Sequence, residues 1–282
     1  MGRTDGHIIS GRENSLTTPP FAACSVIGRA AILVRGQPES RGSFAWGRQQ
    51  CPGTSQSRGA AKGMVQLRRL HVKRIEDELR DVQRHFPEIN AALNLRRDDF
   101  TDAVRQNMVT AYEFLDAMVC DELDFFSDEG LEGLLQLNHL VLLGKGYDLR
   151  AFSRHIMLTR RRFFDNFRKY VKPIRRWYRK HHLDNPYKVA AQVYVGVLSQ
   201  PQLFQEGNHR TGSLIASGIL LQHDCPPFVL TRQNAVAYFN PSSEIKFTDK
   251  RTVRGKLRLP KYRREFREFL RANVNEAYVR RT

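Results

Sequence analysis

Five residues of contrasting chemistry stand together in the stretch QPQLFQEGNHRTGS, at residues 200–213. The apolar run LIASGILL follows them and predicts a buried helix that begins near Gly207. A helix start carries unpaired backbone N–H groups and the positive end of the helix dipole, which together attract anions. Gly207 lets a phosphate approach the backbone, while Asn208 and Arg210 add an amide donor and a guanidinium fork. The stretch therefore predicts a phosphate site.

Glu206 extends this prediction to a metal, because a carboxylate oxygen is a ligand that Mg²⁺ takes beside nucleotide phosphates. A purely structural interpretation stays open, in which Asn208 caps the helix, Glu206 faces its dipole and Arg210 pairs at the surface. His209 follows Asn208 directly, and we expect it to be an exposed residue of the first helical turn.

The elements that must position this loop have mostly helical periodicity. Apolar residues recur every three or four positions from Met64 onward, and Asp184 or Asn185 before Pro186 is a helix-start signal. Residues 145–162 lack that period, so a hairpin or an irregular loop is expected there. No sheet of any size is predicted, and the expected fold class is mostly α. The predicted helices cover residues 67–86, 99–118, 129–144, 163–182, 187–198, 207–222 and 261–281.

Composition divides the chain of 282 residues into four parts. Residues 1–63 hold ten of the nineteen glycines and no sustained periodicity, so we expect a disordered or non-native extension there. A targeting segment is the alternative for the same residues. An N-terminal helical segment (64–133), a core (134–240) and a basic C-terminal segment ending in a helix (241–282) are expected to follow.

The net charge of +17 is spread unevenly. Residues 151–182 carry eleven Lys and Arg against one acid, whereas residues 111–133 carry eight acids and no base. Such polarity favours anionic partners, namely nucleotide phosphates, nucleic acid or an acidic protein face. A solubilising basic surface explains the same counts. Aromatic residues interleave with the bases of residues 163–178, as in nucleic-acid-binding proteins, although their helical spacing is also that of core residues.

The cysteines and the hydropathy exclude two classes of protein. The four cysteines lie far apart without a CxxC pair, which predicts neither a zinc site nor a dense disulfide framework. No apolar run approaches the ~18 residues of a membrane span. We therefore expect a soluble cytoplasmic protein without a membrane partner.

Residues 202–213 resemble the signature of the Fic (Fido) family, H-x-F-x-[D/E]-G-N-x-R-x-x-R. The likeness extends loosely from Leu134 to Tyr238, with an apolar helix on either side of the loop. It implies a compact helical fold with a short β-hairpin flap, which aligns a target segment by strand pairing and would fall at Lys145–Phe164. The positions that match in register are Phe204, Glu206, Gly207, Asn208 and Arg210.

The resemblance implies a role for each matching residue. Typical family members transfer AMP from ATP to a Ser, Thr or Tyr hydroxyl of a target protein. By this likeness Gly207 and Asn208 would line an anion hole, and Arg210 would contact the nucleotide phosphates. Glu206 would hold Mg²⁺, and Phe204 would pack under the loop.

Two positions depart from the family pattern. Gln202 stands where the family has its catalytic His, and a carboxamide accepts no proton near neutral pH, so ~10²–10⁴ in rate is lost. Ser213 stands where a second Arg holds the distal phosphate, which removes a contact of roughly 1.5–3 kcal/mol. A replacement base from His155, His181 or His182 would require tertiary folding to bring it near.

These residues predict a Fic-domain protein that binds nucleotide phosphates at the Gly207–Asn208 loop, with weak or altered AMP transfer to protein hydroxyls. The implied cofactors are ATP or another nucleotide, with Mg²⁺, and the flap would meet a protein target. The alternative is a basic helical module that binds nucleic acid or protein without catalysis.

Overall fold

The computed structural model describes residues 68–145 and 149–281, so the expectations for residues 1–63 lie outside the described part. The expected mostly helical fold is confirmed, and a single two-stranded sheet accompanies the helices in the described part of the chain. The elements are β1 (Arg68–Leu70), α1 (Val72–Arg84), α2 (Phe86–Ala91), α3 (Asp102–Cys120), α4 (Asp128–Leu143), α5 (Leu149–Phe163), α6 (Phe167–Tyr170), α7 (Lys172–His181), α8 (Pro186–Leu198), α9 (Asn208–Gln222), α10 (Ala235–Phe247), α11 (Val253–Asn273) and β2 (Val279–Arg281).

Side-chain caps fix the starts of the main helices. Thr101, Ser127 and Thr252 each accept a hydrogen bond from the backbone N–H three residues ahead, at the starts of α3, α4 and α11. Asn185 does the same for α8, whose first residue is Pro186, as the sequence predicts. Such a cap satisfies one of the N–H groups that a helix start leaves unpaired.

Helix α9 is the centre of the core. Twelve of its residues are buried, because α8, α3 and α4 pack around it and α11 covers α8. The small residues Gly212 and Gly218 let neighbours approach closely: a Cβ at Gly218 would lie 2.5 Å from the Phe125 ring. A helix that is apolar around most of its circumference belongs in an interior, which accounts for the run LIASGILL.

The two-stranded sheet joins the ends of the described chain. β1 pairs antiparallel with β2, with Arg68 opposite Arg281 and Leu70 opposite Val279. The buried carboxylate of Asp116 on α3 holds β1 in place, since it accepts from the guanidinium of Arg69 at 2.7 Å and from the backbone N–H of Leu70 at 2.7 Å. The buried carboxylate is thereby both paired and hydrogen-bonded.

The hairpin flap expected at residues 145–164 is wrong, because α5 occupies Leu149–Phe163. The face that α5 turns inward carries His155, Thr159 and Phe163 at four-residue spacing, of which Thr159 and Phe163 are fully buried. Two of these three residues are polar, so counting apolar residues misses the helical period.

A further difference concerns the C-terminal segment. The helix expected at 261–281 begins at Val253 and ends at Asn273, after which a 3₁₀ turn leads into β2, so the segment does not end in a helix.

Among the residues that the structure describes, no helix combines the length and the apolar character that crossing a bilayer requires.

Candidate functional site

The loop before α9 turns at Gly207, which has φ 73° and ψ 10°. This left-handed conformation favours glycine, and the space beside Gly207 is also closed. A Cβ there would lie 2.9 Å from Nδ2 of Asn138 and 3.1 Å from Cδ2 of Leu142, both on α4. Because Gly207 has no side chain, the first turn of α9 receives no side-chain cap.

Asn138 of α4 holds the loop in place by two hydrogen bonds. Its buried Nδ2 donates to the carbonyl of Glu206 at 3.0 Å and to Oγ1 of Thr211 at 2.9 Å. One amide on α4 therefore fixes both the last loop residue and the first turn of α9. The sequence gives no signal for Asn138, since nothing in the local pattern distinguishes a buried Asn from its neighbours.

The side chain of Asn208 closes the loop on itself. Its Oδ1 accepts from the N–H of Phe204 at 2.9 Å, and its Nδ2 donates to the carbonyl of Phe204 at 3.1 Å. The Phe204 ring is fully buried and lies 5.2 Å from the ring of Phe163 on α5. Asn208 thus holds residues 204–208 in a compact turn, and both polar atoms of its amide are engaged within the loop.

Arg162 of α5 also holds the loop, through hydrogen bonds to two of its carbonyls. Its Nη1 donates to the carbonyl of Gln202 at 3.0 Å and to the carbonyl of Phe204 at 2.7 Å. Local sequence gave no signal for this contact, because Arg162 is forty residues from Gln202 and belongs to a basic run.

Gln202 and Ser213 both line the cavity at the start of α9, and each is hydrogen-bonded to backbone. Nε2 of Gln202 donates to the carbonyl of Leu198 at 3.1 Å, and Oγ of Ser213 donates to the carbonyl of Arg210 at 2.8 Å. Neither is positioned as a base, since the amide has no basicity and the hydroxyl donates inward.

Arg210 is half-buried beside the loop, where its Nη1 donates to the carbonyl of Val141 at 3.0 Å. Burial lowers the pKa of this guanidinium from its ordinary value, and the carboxylates of Glu206 and Asp98 partly oppose the shift. No carboxylate among the described residues lies within ion-pair distance of it. A cation that is desolvated without a close counter-ion gains most from an anionic ligand.

The cavity itself measures about 300 Å³. The half-buried cations Arg97, Arg210 and Lys246 line it together with three exposed carboxylates, those of Asp98, Asp99 and Glu206. Apolar side chains form the remaining wall, and a mixed lining of this kind is typical of small-molecule sites. These apolar residues are Leu79, Phe86, Phe100, Val104, Met108, Phe228, Leu230 and Phe239.

Arg97 comes from the segment between α2 and α3. Its Nη2 donates to the carbonyl of Phe239 at 3.2 Å and to Oγ of Ser243 at 2.8 Å, and the guanidinium carbon lies 4.5 Å from the centre of the Phe239 ring. Burial lowers the pKa of Arg97. The contacts to α10 hold this charge at the cavity wall.

His209 is not the exposed first-turn residue that its position predicts. Both ring nitrogens are buried and have no hydrogen-bond partner, while Tyr238 of α10 donates to its backbone carbonyl at 2.9 Å. Burial lowers the pKa of His209 well below its usual value, and the nearby charges of Arg97, Lys246 and Arg210 lower it further. Burial and the nearby positive charges both favour the neutral imidazole.

The other histidines considered as bases lie elsewhere. His155 is on α5, outside the cavity lining, and its Nε2 is buried without a partner. His181 contacts Asp184 at 3.0 Å, and His182 lies against the carbonyl of Arg179, so both belong to the end of α7. None of the three joins the cavity.

Glu206 is the residue assigned to a metal, and its side chain is exposed at the cavity. Within residues 68–145 and 149–281, no group of three His, Cys, Asp or Glu side chains could hold a metal ion. Mg²⁺ commonly uses one or two carboxylates together with substrate phosphates, and a single exposed Glu fits that mode. Any Mg²⁺ here would therefore arrive with the ligand.

Comparisons of this chain with models of known protein families, with curated proteins and with solved structures found no match.

Proposed function

We propose that this chain binds a nucleotide by its phosphates in the cavity at the start of α9, and that it transfers nucleotidyl groups to protein hydroxyls weakly or in altered form. One observation carries the proposal: the half-buried cations Arg97, Arg210 and Lys246 line one cavity together with a helix start that has no side-chain cap. Uncapped N–H groups, a helix dipole and three cations favour an anion.

The apolar wall supports a nucleotide over a bare phosphate. The half-buried Phe100 lies on the same cavity as the cations, and an aromatic base stacks well on an aromatic side chain. The volume of about 300 Å³ is at the lower end for a small-molecule ligand. The likeness of residues 204–210 to the Fic motif points to the same ligand class.

Slow or altered transfer follows from the groups around the cavity. In transfer from ATP the target oxygen bonds to the α-phosphorus and pyrophosphate leaves. The hydroxyl proton passes to water, because Gln202 cannot accept it and both His209 nitrogens are shielded from solvent. Mg²⁺ held at Glu206 would neutralise charge on the phosphates. Positioning and electrostatic stabilisation account for much of phosphoryl-type catalysis, so some transfer persists without a strong base.

Nucleotide binding is tested by calorimetry and thermal shift with ATP and GTP, each with Mg²⁺. Lys246→Gln should weaken binding about tenfold, since a charge-assisted phosphate contact contributes roughly 1.5 kcal/mol. Lys180→Gln on α7 removes the same charge from an exposed position outside the cavity and should leave binding unchanged. Equal effects of the two variants, or no binding, would reject the proposal.

Transfer is tested separately with α-labelled ATP, on the chain itself and on added protein. Gln202→His should raise labelling on the order of 10²-fold, because it restores a base. If Gln202→His binds nucleotide and gains no labelling, the transferase part is wrong while the binding part stands.

A further inference from the structure

A surface on α10 and α11 combines exposed apolar side chains with unpaired cations. Phe247 is 68% exposed, Val253 75% and Leu257 76%, values far above those of other large apolar residues on these helices. Val253 and Leu257 stand four residues apart, so they share one face of α11. Scattered exposed apolar residues need no explanation, but neighbouring ones mark a contact surface.

A shallow groove connects the two helices. It is lined by Leu95 and Phe247 on the apolar side and by Arg258 and Lys261 on the cationic side. Lys261 lies four residues after Leu257, so the groove continues the face that carries Val253 and Leu257. We call the whole the α11 surface: Leu95, Phe247, Val253, Arg254, Lys256, Leu257, Arg258 and Lys261.

The cations of the α11 surface are available to a partner. Among the described residues, Arg254, Lys256 and Arg258 have no carboxylate within ion-pair distance. Lys261 reaches Glu265 only at 3.6 Å. The one acid that lines the groove is Glu244, and it accepts a hydrogen bond from the hydroxyl of Tyr262 at 2.9 Å.

The first two turns of α11 leave little of their circumference covered. Only Gly255 and Leu259 are buried between residues 253 and 260. The exposed remainder alternates apolar and basic side chains, which is the composition of helices that lie at the boundary between lipid headgroups and acyl chains.

We propose that the α11 surface docks this protein on an anionic phospholipid bilayer. Arg254, Lys256 and Arg258 would meet the headgroup phosphates, and Phe247, Val253 and Leu257 would enter the apolar boundary. This goes beyond the expectation of no membrane partner, which rested on the lack of a spanning segment, and it is independent of the nucleotide site.

A comparison with α7 separates lipid from general polyanion binding. α7 also exposes four cations on one face, opposite the buried Ile174 and Tyr178, and no large apolar side chain accompanies them. Within α7 itself no large apolar side chain is exposed, and the exposed Leu183 lies beyond its end. A surface that attracts any polyanion would resemble α7, whereas a group of exposed apolar residues is needed only for a bilayer. The α7 cations are Lys172, Arg176, Arg179 and Lys180.

The test is co-sedimentation of the full chain with vesicles of phosphatidylcholine alone or with 30% phosphatidylglycerol, as the chosen probe. Binding to the anionic vesicles is expected to fall on the order of 100-fold in Arg254→Gln/Lys256→Gln/Arg258→Gln, at about fivefold per cation near the surface. The triple variant Arg176→Gln/Arg179→Gln/Lys180→Gln carries the same charge change on α7 and should reduce binding less than tenfold.

The apolar arm uses Phe247→Ser/Val253→Asn/Leu257→Gln, which changes only exposed side chains. It should weaken vesicle binding at least tenfold, since each residue buries apolar area in the bilayer. Leu183→Gln, 82% exposed beyond α7, is its control and should have no effect.

Three results would overturn the proposal. These are equal binding to neutral and anionic vesicles, unchanged binding by the apolar variant, or an equal loss from the α7 and α11 charge variants. Tighter binding to a DNA duplex, dependent on the same cations but not on the apolar residues, would assign the surface to nucleic acid instead.

Discussion

Helices α8 and α9 pack along each other, yet their first turns are built from different residues. At α8, Asn185 accepts from the N–H of Lys188 at 3.2 Å, and Pro186 has no N–H to satisfy. At α9, Gly207 offers no side chain, and the amide of Asn208 turns back to Phe204.

The two helix starts differ in how their first backbone N–H groups are satisfied. At α8 the side chain of Asn185 pairs the N–H of Lys188, and Pro186 has no N–H, so the chain itself caps this helix. α9 leaves its donors facing a cavity, and its loop is fixed by Asn138 and Arg162 from other helices. Rigid support without a local cap is the arrangement that a preformed anion site requires.

The largest expected effect comes from giving α9 a side chain at its start. Gly207→Val should lower the free energy of unfolding by about 3 kcal/mol, because a β-branched residue at φ 73° is strained and its Cβ meets Asn138 and Leu142. Urea denaturation followed by circular dichroism measures this. Gly133→Ala meets only the mobile end of Met118, and its effect should stay within about 1 kcal/mol. Equal losses of unfolding free energy in Gly207→Val and Gly133→Ala would mean that the loop is not rigid.

An intermediate effect concerns pH. The folded pKa of His209 lies well below its unfolded value of about 6.5, so below that pH the unfolded state binds a proton that the folded state excludes. Stability therefore falls as pH decreases, by up to about 1.4 kcal/mol per pH unit. His209→Gln should remove this contribution, giving a shallower fall between pH 7 and 5.

The start of α8 supplies the matched control for that titration. Hydrogen bonds from Lys188 and His181 lower the pKa of the Asp184 carboxyl. A carboxyl with a lowered folded pKa stabilises the fold above its unfolded pKa and loses this effect only as pH falls further, below about 4. Asp184→Asn should leave the slope between pH 7 and 5 unchanged, and a slope altered as much as in His209→Gln would contradict the assignment.

The smallest effect is expected at the α8 cap. Asn185→Ala should cost about 1 kcal/mol of unfolding free energy, because one backbone N–H loses its partner. Asn185→Ser keeps a capping oxygen and should cost less. Neither variant should change the dissociation constant for ATP with Mg²⁺, measured by calorimetry, and a change there would remove the distinction between the two helix starts.

The sequence predicts the elements whose signals are local. Apolar spacing places α3, α4, α8 and α9 correctly, and the pair Asn185–Pro186 marks the start of α8. It misses α5 because two of three inward residues, His155 and Thr159, are polar, so the burial of this face follows from its packing on α4.

The candidate site likewise contains some residues with a local sequence signal and others without one. The stretch EGN predicts a turn at Gly207 and a helix start after it, since a glycine before an apolar run is a turn signal. Arg97 and Lys246 line the cavity from segments that lie far from the loop in sequence. His209 is buried because α10 covers it, and a first-turn position by itself predicts exposure.

The pairing of β1 with β2 has a practical consequence for engineering. Because Arg68 lies opposite Arg281, the two ends of the described chain leave the molecule at one edge. A short linker from residue 281 to residue 68 would close the backbone into a ring, and new termini could open in an exposed connection such as Leu183. Two reporter domains fused at residues 68 and 281 would emerge side by side, close enough for energy transfer that is lost when the strands separate.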